Sequence, residues 1–387
     1  MLLVRRHVSR ALNLSSLSSF RSSSSYFTDK DADNVAQYFV HVPVLFQETI
    51  AAFSRDISDT VEPRYFVDGT TGFGGHAKGL LQHFPRAHLL CIDRDPEVLS
   101  IAQANLADFH DRVSFQLGSY ANLDKHLQAA AFPDEIDGIL VDLGANSYHF
   151  DAAKRGFSVI NDGPLDMRFN QQDVTQRTAA DVVNSLSEVQ LTRIFKDYGE
   201  ERLAKEFAKA IVREREERDK VFQTTKELRE CIERIANMWN SKHSRKKNGK
   251  RSNRKGGSHP ATRCFQALRI YVNDELDHVN TGVKQLVNHL KPRGRLVTIA
   301  FHSLEDRPIK KFFCELDRKS RIDNDEDEDE EWDGEDTEND ENVGIFDLLS
   351  TKRFRLIRRK AIKASDHEIA TNSRSRSARL RCIERLS

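Results

Sequence analysis

The stretch that most restricts this chain is Tyr65-Phe-Val67 running straight into Asp68-Gly-Thr-Thr-Gly-Phe-Gly-Gly-His76. A short apolar run that ends in a glycine-rich turn reads as a strand feeding a ligand-facing loop. Gly69, Gly72, Gly74 and Gly75 supply backbone that bends sharply and approaches a ligand without a Cβ in the way. Ala77–Phe84 then reads as a helix, whose start offers free N–H groups. His88–Ile92 reads as a second strand and ends at Asp93, 21 residues beyond Gly72. An acid at that distance can accept both hydroxyl protons of a ribose. The pattern alone does not separate one nucleotide-like cofactor from another. The spacing Gly72-x-Gly-Gly75 is not G-x-G-x-x-G, however, and gives no reason to expect a pyrophosphate.

Pro96–Leu106 reads as a helix with Pro96 near its start, and Val113–Leu117 and Gly138–Leu143 as further strands. Strand–helix alternation of this kind implies βαβ units and a mainly parallel sheet. The fourth strand ends in Asp142-Leu-Gly144, on the edge where open α/β sheets bind ligands. Asp142 can bond the cofactor or a substrate amine there, or serve as a structural cap. Residues 178–239 change period and read as helices. Ser187-Glu-Val-Gln190 and Thr224-Thr-Lys-Glu227 are capping boxes. Leu203, Phe207 and Ile211 form one core stripe; Leu228, Ile232, Ile235 and Trp239 form another. A sheet strand returns at Arg295–Phe301, and Phe354–Ile362 with Ala378–Ile383 can form a final pair.

The charge balance needs one correction. The 387 residues hold 60 Lys and Arg against 60 acids, but 14 of the acids fall in residues 323–341, a tract expected to be disordered. Without that tract 46 acids face 60 basic residues, a balance suited to a polyanion or to ordinary solvated faces. Residues 241–258 carry eight Lys or Arg and no acid, as an RNA-contacting loop or a plain solvated one. No apolar run reaches the roughly 18 residues of a spanning helix. Cys91, Cys231, Cys264, Cys314 and Cys382 show no CxxC spacing, so no metal site and no disulfide framework is indicated. Residues 1–27 have no acid, nine serines and Arg5, Arg6, Arg10 and Arg21, the composition of an organelle transit peptide. The expected address is the mitochondrial matrix, with a plastid or a plain disordered terminus as alternatives.

These residues lie within longer strings. They include His41-Val-Pro-Val-Leu45, Ile92-Asp-Arg-Asp-Pro96, Asp137-Gly-Ile-Leu-Val-Asp-Leu-Gly144, Arg155-Gly-Phe157 and Asp162-Gly-Pro-Leu-Asp-Met-Arg168. Later come His259-Pro-Ala-Thr-Arg263, Phe265-Gln-Ala-Leu-Arg-Ile270, Val272-Asn-Asp-Glu-Leu276, Ala300-Phe-His-Ser-Leu-Glu-Asp306 and Asn372-Ser-Arg-Ser-Arg-Ser-Ala-Arg-Leu-Arg381. The set closely resembles the MraW/RsmH-type 16S rRNA (cytosine-N4)-methyltransferases, over about residues 41–385.

The resemblance implies an α/β fold: a class I S-adenosylmethionine (SAM)-dependent methyltransferase, Rossmann-like, with a helical substrate-recognition insertion. With leader 1–27, linker 28–40 and acidic tract 323–341 read from composition, it divides the rest into catalytic domain 41–144, insertion 145–258 with the basic loop 241–258, catalytic domain 259–322 and C-terminal strands 342–387. It implies methyl transfer to N4 of a cytidine in small-subunit rRNA, free or in an assembling subunit, with SAM as cofactor. Cofactor contacts carry over to Gly74, Gly75, His76, Asp93, Tyr120, Asp142 and His149. Three strings depart from the family: Tyr120 replaces Phe, Asn146-Ser-Tyr-His-Phe-Asp151 replaces Ser-Ser-Pro-Gln-Leu-Asp, and Arg168-Phe-Asn170 replaces Arg-Met-Asp.

For the chemistry we expect Asp142, Asp166 and His302 around the target amine, because a strand end, a Pro-Leu-Asp turn and the next strand end can converge. Arg263, Arg269, Arg374, Arg376 and Arg379 are candidate phosphate contacts, and Phe157 either stacks on a base or packs in the core. Two other readings compete. A dehydrogenase would need the G-x-G-x-x-G that is missing; a non-catalytic SAM-binding ribosome-assembly factor would keep the fold without the reaction.

Overall fold

The computed structural model describes residues 43–54, 63–244, 259–322 and 352–387. The expected leader, the linker, most of the basic loop and the acidic tract lie outside the described residues. Among the described residues seven strands form one sheet: β1 (Arg64–Asp68), β2 (Ala87–Asp93), β3 (Val113–Leu117), β4 (Ile136–Asp142), β5 (Leu290–Ala300), β6 (Phe354–Leu356) and β7 (Arg379–Arg385). Their order is β3-β2-β1-β4-β5-β7-β6. β1 to β5 run parallel; β7 runs antiparallel between β5 and β6. This is the class I methyltransferase sheet that the alternation and the resemblance lead one to expect.

Side chains alternate across the strands, as the period of two requires. Phe66, Leu89, Cys91, Leu140, Val297 and Ile299 share a core with α1 (Phe46–Phe53) and α2 (Gly75–His83). Val67, Leu90, Ile92, Ile139 and Val141 belong to the opposite core. α3 (Pro96–Asn105) starts where Asp95 accepts the N–H groups of Glu97 and Val98, with Pro96 in the first turn. α4 (Leu123–Ala129) adds Leu123 and Leu127 to the second core.

After β4 the chain leaves the sheet for α5 (Ser147–Asp151), α6 (Ala179–Ser185), α7 (Glu188–Asp197), α8 (Ala204–Glu217) and α9 (Thr225–Ser244). Both expected capping boxes form, at Ser187/Gln190 and Thr224/Glu227. α10 (Thr262–Val272) puts Cys264, Phe265 and Leu268 into the same core as Phe157, Phe195 and Phe207. The insertion therefore runs on past residue 258, to Val272. Trp239 departs from its expected stripe: it is 39% exposed, because α9 outruns the bundle after Ala236.

β5 begins earlier than read from the sequence, at Leu290 rather than Arg295. The pairing shifts register between Ile136 and Gly138, where Lys291-Pro-Arg-Gly294 forms a bulge with Arg293 at φ 67°. α11 (Ser303–Ile322) follows β5, and α12 (Asp366–Thr371) lies between β6 and β7. β6 is shorter than expected; beyond it Ile357 N–H donates to Cys382 O at 3.1 Å and Ile362 pairs with Leu380. Glu368 of α12 accepts the N–H of Leu45 at 2.7 Å, across 323 residues.

Candidate active site

The glycine loop is pinned from two sides. Gly69 N–H donates to Leu140 O of β4 at 2.8 Å, and Thr71 N–H to Ile92 O of β2 at 2.9 Å. A Cβ on Gly69 would stand 2.9 Å from the Cβ of Tyr120, so the loop and the residue after β3 are in contact. Gly74 has φ 81° and starts α2, a conformation that favours glycine.

Asp93 ties the loop to the end of β2. Its Oδ2 accepts Gly72 N–H at 2.8 Å and its Oδ1 accepts Asp95 N–H at 2.9 Å. Burial raises its pKa to about 7 despite these bonds. Burial likewise raises Asp68 to about 7, partly offset by the Thr70 N–H and aided by the charge of Asp93. Asp142 is pushed well above the carboxylate range by burial and by the charges of Asp68 and Glu305. Its N–H donates to Thr70 Oγ1 at 2.6 Å. Buried and without a hydrogen-bond partner are Asp68 Oδ2, Asp142 Oδ1, the Tyr120 hydroxyl and Nδ1 of His302, whose Nε2 lies 2.9 Å from Glu305 Oε1. Such atoms are costly unless something arrives to satisfy them.

His76 is buried in α2, with Nε2 3.1 Å from Val44 O and Nδ1 3.8 Å from Asp142 Oδ2. Burial lowers its pKa to about 4, so it faces Asp142 as a neutral ring. Beside this region a cavity of about 500 Å³ opens between sheet and insertion. Arg94, Ser119, Asn170, Gln176 and Asp274 are among its walls.

Not every expected residue joins this site. His149 has both nitrogens engaged elsewhere: Nε2 lies 2.8 Å from Asp95 Oδ2, and Nδ1 accepts Asn146 N–H at 3.0 Å. Its ring packs on Phe157, a core residue, at 4.9 Å. It anchors a helix start and has no ring nitrogen left for a cofactor. Asp166 of the expected trio is already engaged. Arg168 grips both its oxygens, at 2.9 and 2.8 Å, within the insertion. His302 and Asp142 do share a neighbour, Glu305. Arg269 is no surface arginine; its Nε donates to the buried Glu275 at 2.8 Å. Arg263, Arg374, Arg376 and Arg379 are exposed as expected, though Arg379 also donates to Asp306 at 2.9 Å.

A model of the MraW methylase family matches residues 38–386. The chain belongs to that family. It is 40% identical over 366 residues to the ribosomal RNA small subunit methyltransferase H of Syntrophotalea carbinolica, covering 90% of this chain and 99% of that one. The protein of the same name from Carboxydothermus hydrogenoformans is 38% identical over 349 residues, with 90% and 99% covered. That from Treponema denticola is 36% identical over 347 residues, with 90% and 98% covered.

The cofactor of this MraW-family methylase is SAM. Its site fits that molecule, whose sulfonium and ammonium are cations and whose ribose and adenine carry donors. Asp68 and Asp142 offer unpartnered carboxylate oxygens, Asp93 closes the end of β2 against the glycine loop, and Tyr120 is a buried ring beside the loop. Among the described residues no group of His, Cys, Asp or Glu is arranged to hold a metal, and no helix is long and apolar enough to cross a membrane. Sequence reasoning about side chains missed Glu305 and Glu275. Both were within reach, since Glu305 lies in the quoted string Ala300–Asp306 and Glu275 in Val272–Leu276; what neither string shows is the partner each meets in the fold.

Proposed function

We propose that this methylase transfers the SAM methyl to the exocyclic N4 of a cytidine in small-subunit rRNA, and that it does so in the mitochondrial matrix. Similarity over 90% of the chain to proteins named ribosomal RNA small subunit methyltransferase H carries the choice of RNA. The family strings quoted above carry the choice of N4, and the acid-free, Arg- and Ser-rich residues 1–27 carry the address.

The N4 lone pair is delocalised into the ring and is a weak nucleophile. The protein must hold N4 in line with the methyl and receive a proton. Positioning supplies much of the rate effect. SAM supplies an electrophilic methyl on a good leaving group. Asp142, ending β4 with a buried unpartnered oxygen, suits a hydrogen bond to the amine or to the cofactor. His302, whose Nδ1 is buried without a hydrogen-bond partner, suits proton acceptance. Asp142-Leu-Gly-Ala145 stands where other amino-methyltransferases carry Asp/Asn-Pro-Pro-Tyr, so the amine is held by other means. The target base must also leave its stack. Exposed Arg374, Arg376 and Arg379 suit phosphate contacts near the sheet end that bears His302.

The deciding experiment is to probe small-subunit rRNA for N4-methylcytidine in cells lacking the protein. Loss of one modified position is expected. Unchanged modification would leave the non-catalytic assembly factor as the better reading. A fluorescent fusion with and without residues 1–27 tests the address; identical distributions would remove it.

A further inference from the structure

Glu305 has no role in the reaction as described so far, yet the buried polar groups converge on it. It lies in the first turn of α11 and is 1% exposed. Its Oε2 accepts Phe301 N–H at 2.8 Å. Its Oε1 stands 2.9 Å from His302 Nε2, and a Cβ on Gly144 would come within 3.9 Å of the same oxygen. Four other groups act on this pair: Asp142 from the end of β4, Tyr120 after β3, and Arg269 and Glu275 from the end of the insertion.

A helix-start glutamate bonded to a backbone N–H is ordinarily a cap. A cap accounts for one oxygen only. The other faces an imidazole at ion-pair distance, and glutamate is almost never fully buried unless paired. Burial works against its charge, but His302 and Arg269 hold its carboxyl below the usual range, so it is ionised at neutral pH. A carboxylate facing one ring nitrogen favours the proton there and leaves the other nitrogen as the acceptor.

We infer that Glu305 is a positioning residue for methyl transfer: it keeps the proton of His302 on Nε2, so that Nδ1 takes the proton released by the target amine. This rests on reading the chain as an amine methyltransferase. In the step, the amine nitrogen bonds the methyl carbon while the carbon–sulfur bond breaks and its electron pair stays on sulfur. The nitrogen, now cationic, gives one proton to Nδ1. The imidazolium faces the Glu305 carboxylate until Nδ1 releases that proton to water.

Nitrogen NMR of the full-length protein with labelled histidine, assigned with His302→Gln, reads the tautomer without cofactor or RNA. The Nε2–H form is expected in the wild type, and loss of that preference in Glu305→Gln. In single turnovers at saturating SAM and RNA, Glu305→Gln should be slower by about 100-fold, with affinities for both within about three-fold. Glu305→Asp should recover part of the rate, and the double variant should be no slower than His302→Gln alone. A wild-type His302 protonated on Nδ1 overturns the inference, and so does a Glu305→Gln protein that keeps both tautomer and rate. The wild-type tautomer needs no variant, so a Glu305→Gln protein that fails to fold does not remove the test. The expected tautomer in a protein that methylates no rRNA would support the Glu305–His302 pairing and refute the reading of the substrate.

Discussion

His149 and Asp95 stand 2.8 Å apart, Nε2 to Oδ2, and join the first helix of the insertion to the strand end that holds Asp93. Arg155 reaches the same oxygen at 2.6 Å, and Asp95 in turn donates its N–H to Asp93. Burial opposes the charge on Asp95, but His149 and Arg155 hold its carboxyl below the usual range. The insertion is thus bolted to the end of β2 that carries Asp93.

His149→Leu should therefore lower stability by about 1–3 kcal/mol, the cost of unpairing a buried polar group. Chemical denaturation with and without SAM measures it. A variant of unchanged stability but weaker SAM binding would return His149 to the role of cofactor contact.

Asp68 and Asp93 both titrate near 7 because burial disfavours their charged forms. The folded protein keeps these protons to higher pH than the unfolded chain. Their contribution to stability is full below about 3.8 and is lost as pH rises through about 7. A cationic ligand favours the charged forms, so SAM binding should release protons below pH 7 and tighten as pH rises toward it. Calorimetry in buffers of different ionisation enthalpy reports the released protons; proton uptake, or none, would contradict this account.

Gly69→Ala should weaken SAM binding by about tenfold or more, since the new methyl meets the Cβ of Tyr120 at 2.9 Å and one of the two must move. Equilibrium binding checks this; affinity within about two-fold of wild type would show that the contact yields cheaply.

The arginines should divide into two classes. Arg374→Ala and Arg376→Ala should each reduce the salt dependence of RNA binding by about one unit of slope, with folding unaffected. Arg269→Ala should instead destabilise the fold by about 3–5 kcal/mol, because it strands the buried Glu275. Salt titrations and denaturation curves on the same three proteins separate the classes. An Arg269→Ala protein of wild-type stability with weakened RNA binding would reverse the assignment.

The sheet is legible in the sequence because parallel strands buried on both faces read as apolar runs. Val113–Leu117, an edge strand with no fully buried residue, is read residue for residue from its apolar–polar alternation instead. The first half of β5 is not, because Pro292 and Gly294 are turn signals that here make a bulge inside a strand. The glycine loop and Asp93 are legible because local spacing sets that geometry. His149, Asp166 and Arg269 are not: what decides their role is the partner each meets. His149 meets Asp95 across 54 residues of chain, and Arg269 meets Glu275 only because a turn folds back after α10. Local pattern shows that a polar side chain is present, whereas tertiary packing decides whether it is already spoken for.

The late strand β7 lies between β5 and β6, and α12 bonds back to Leu45 across 323 residues. Contacts of that span form slowly, after the local helices. Until β7 arrives, β5 is an open edge with unpaired N–H and C=O groups, a template for the same strand of another molecule. The interval before closure is when aggregation competes with folding, and substitutions that loosen β7 should lower the yield of soluble protein before they touch the turnover of molecules that have folded.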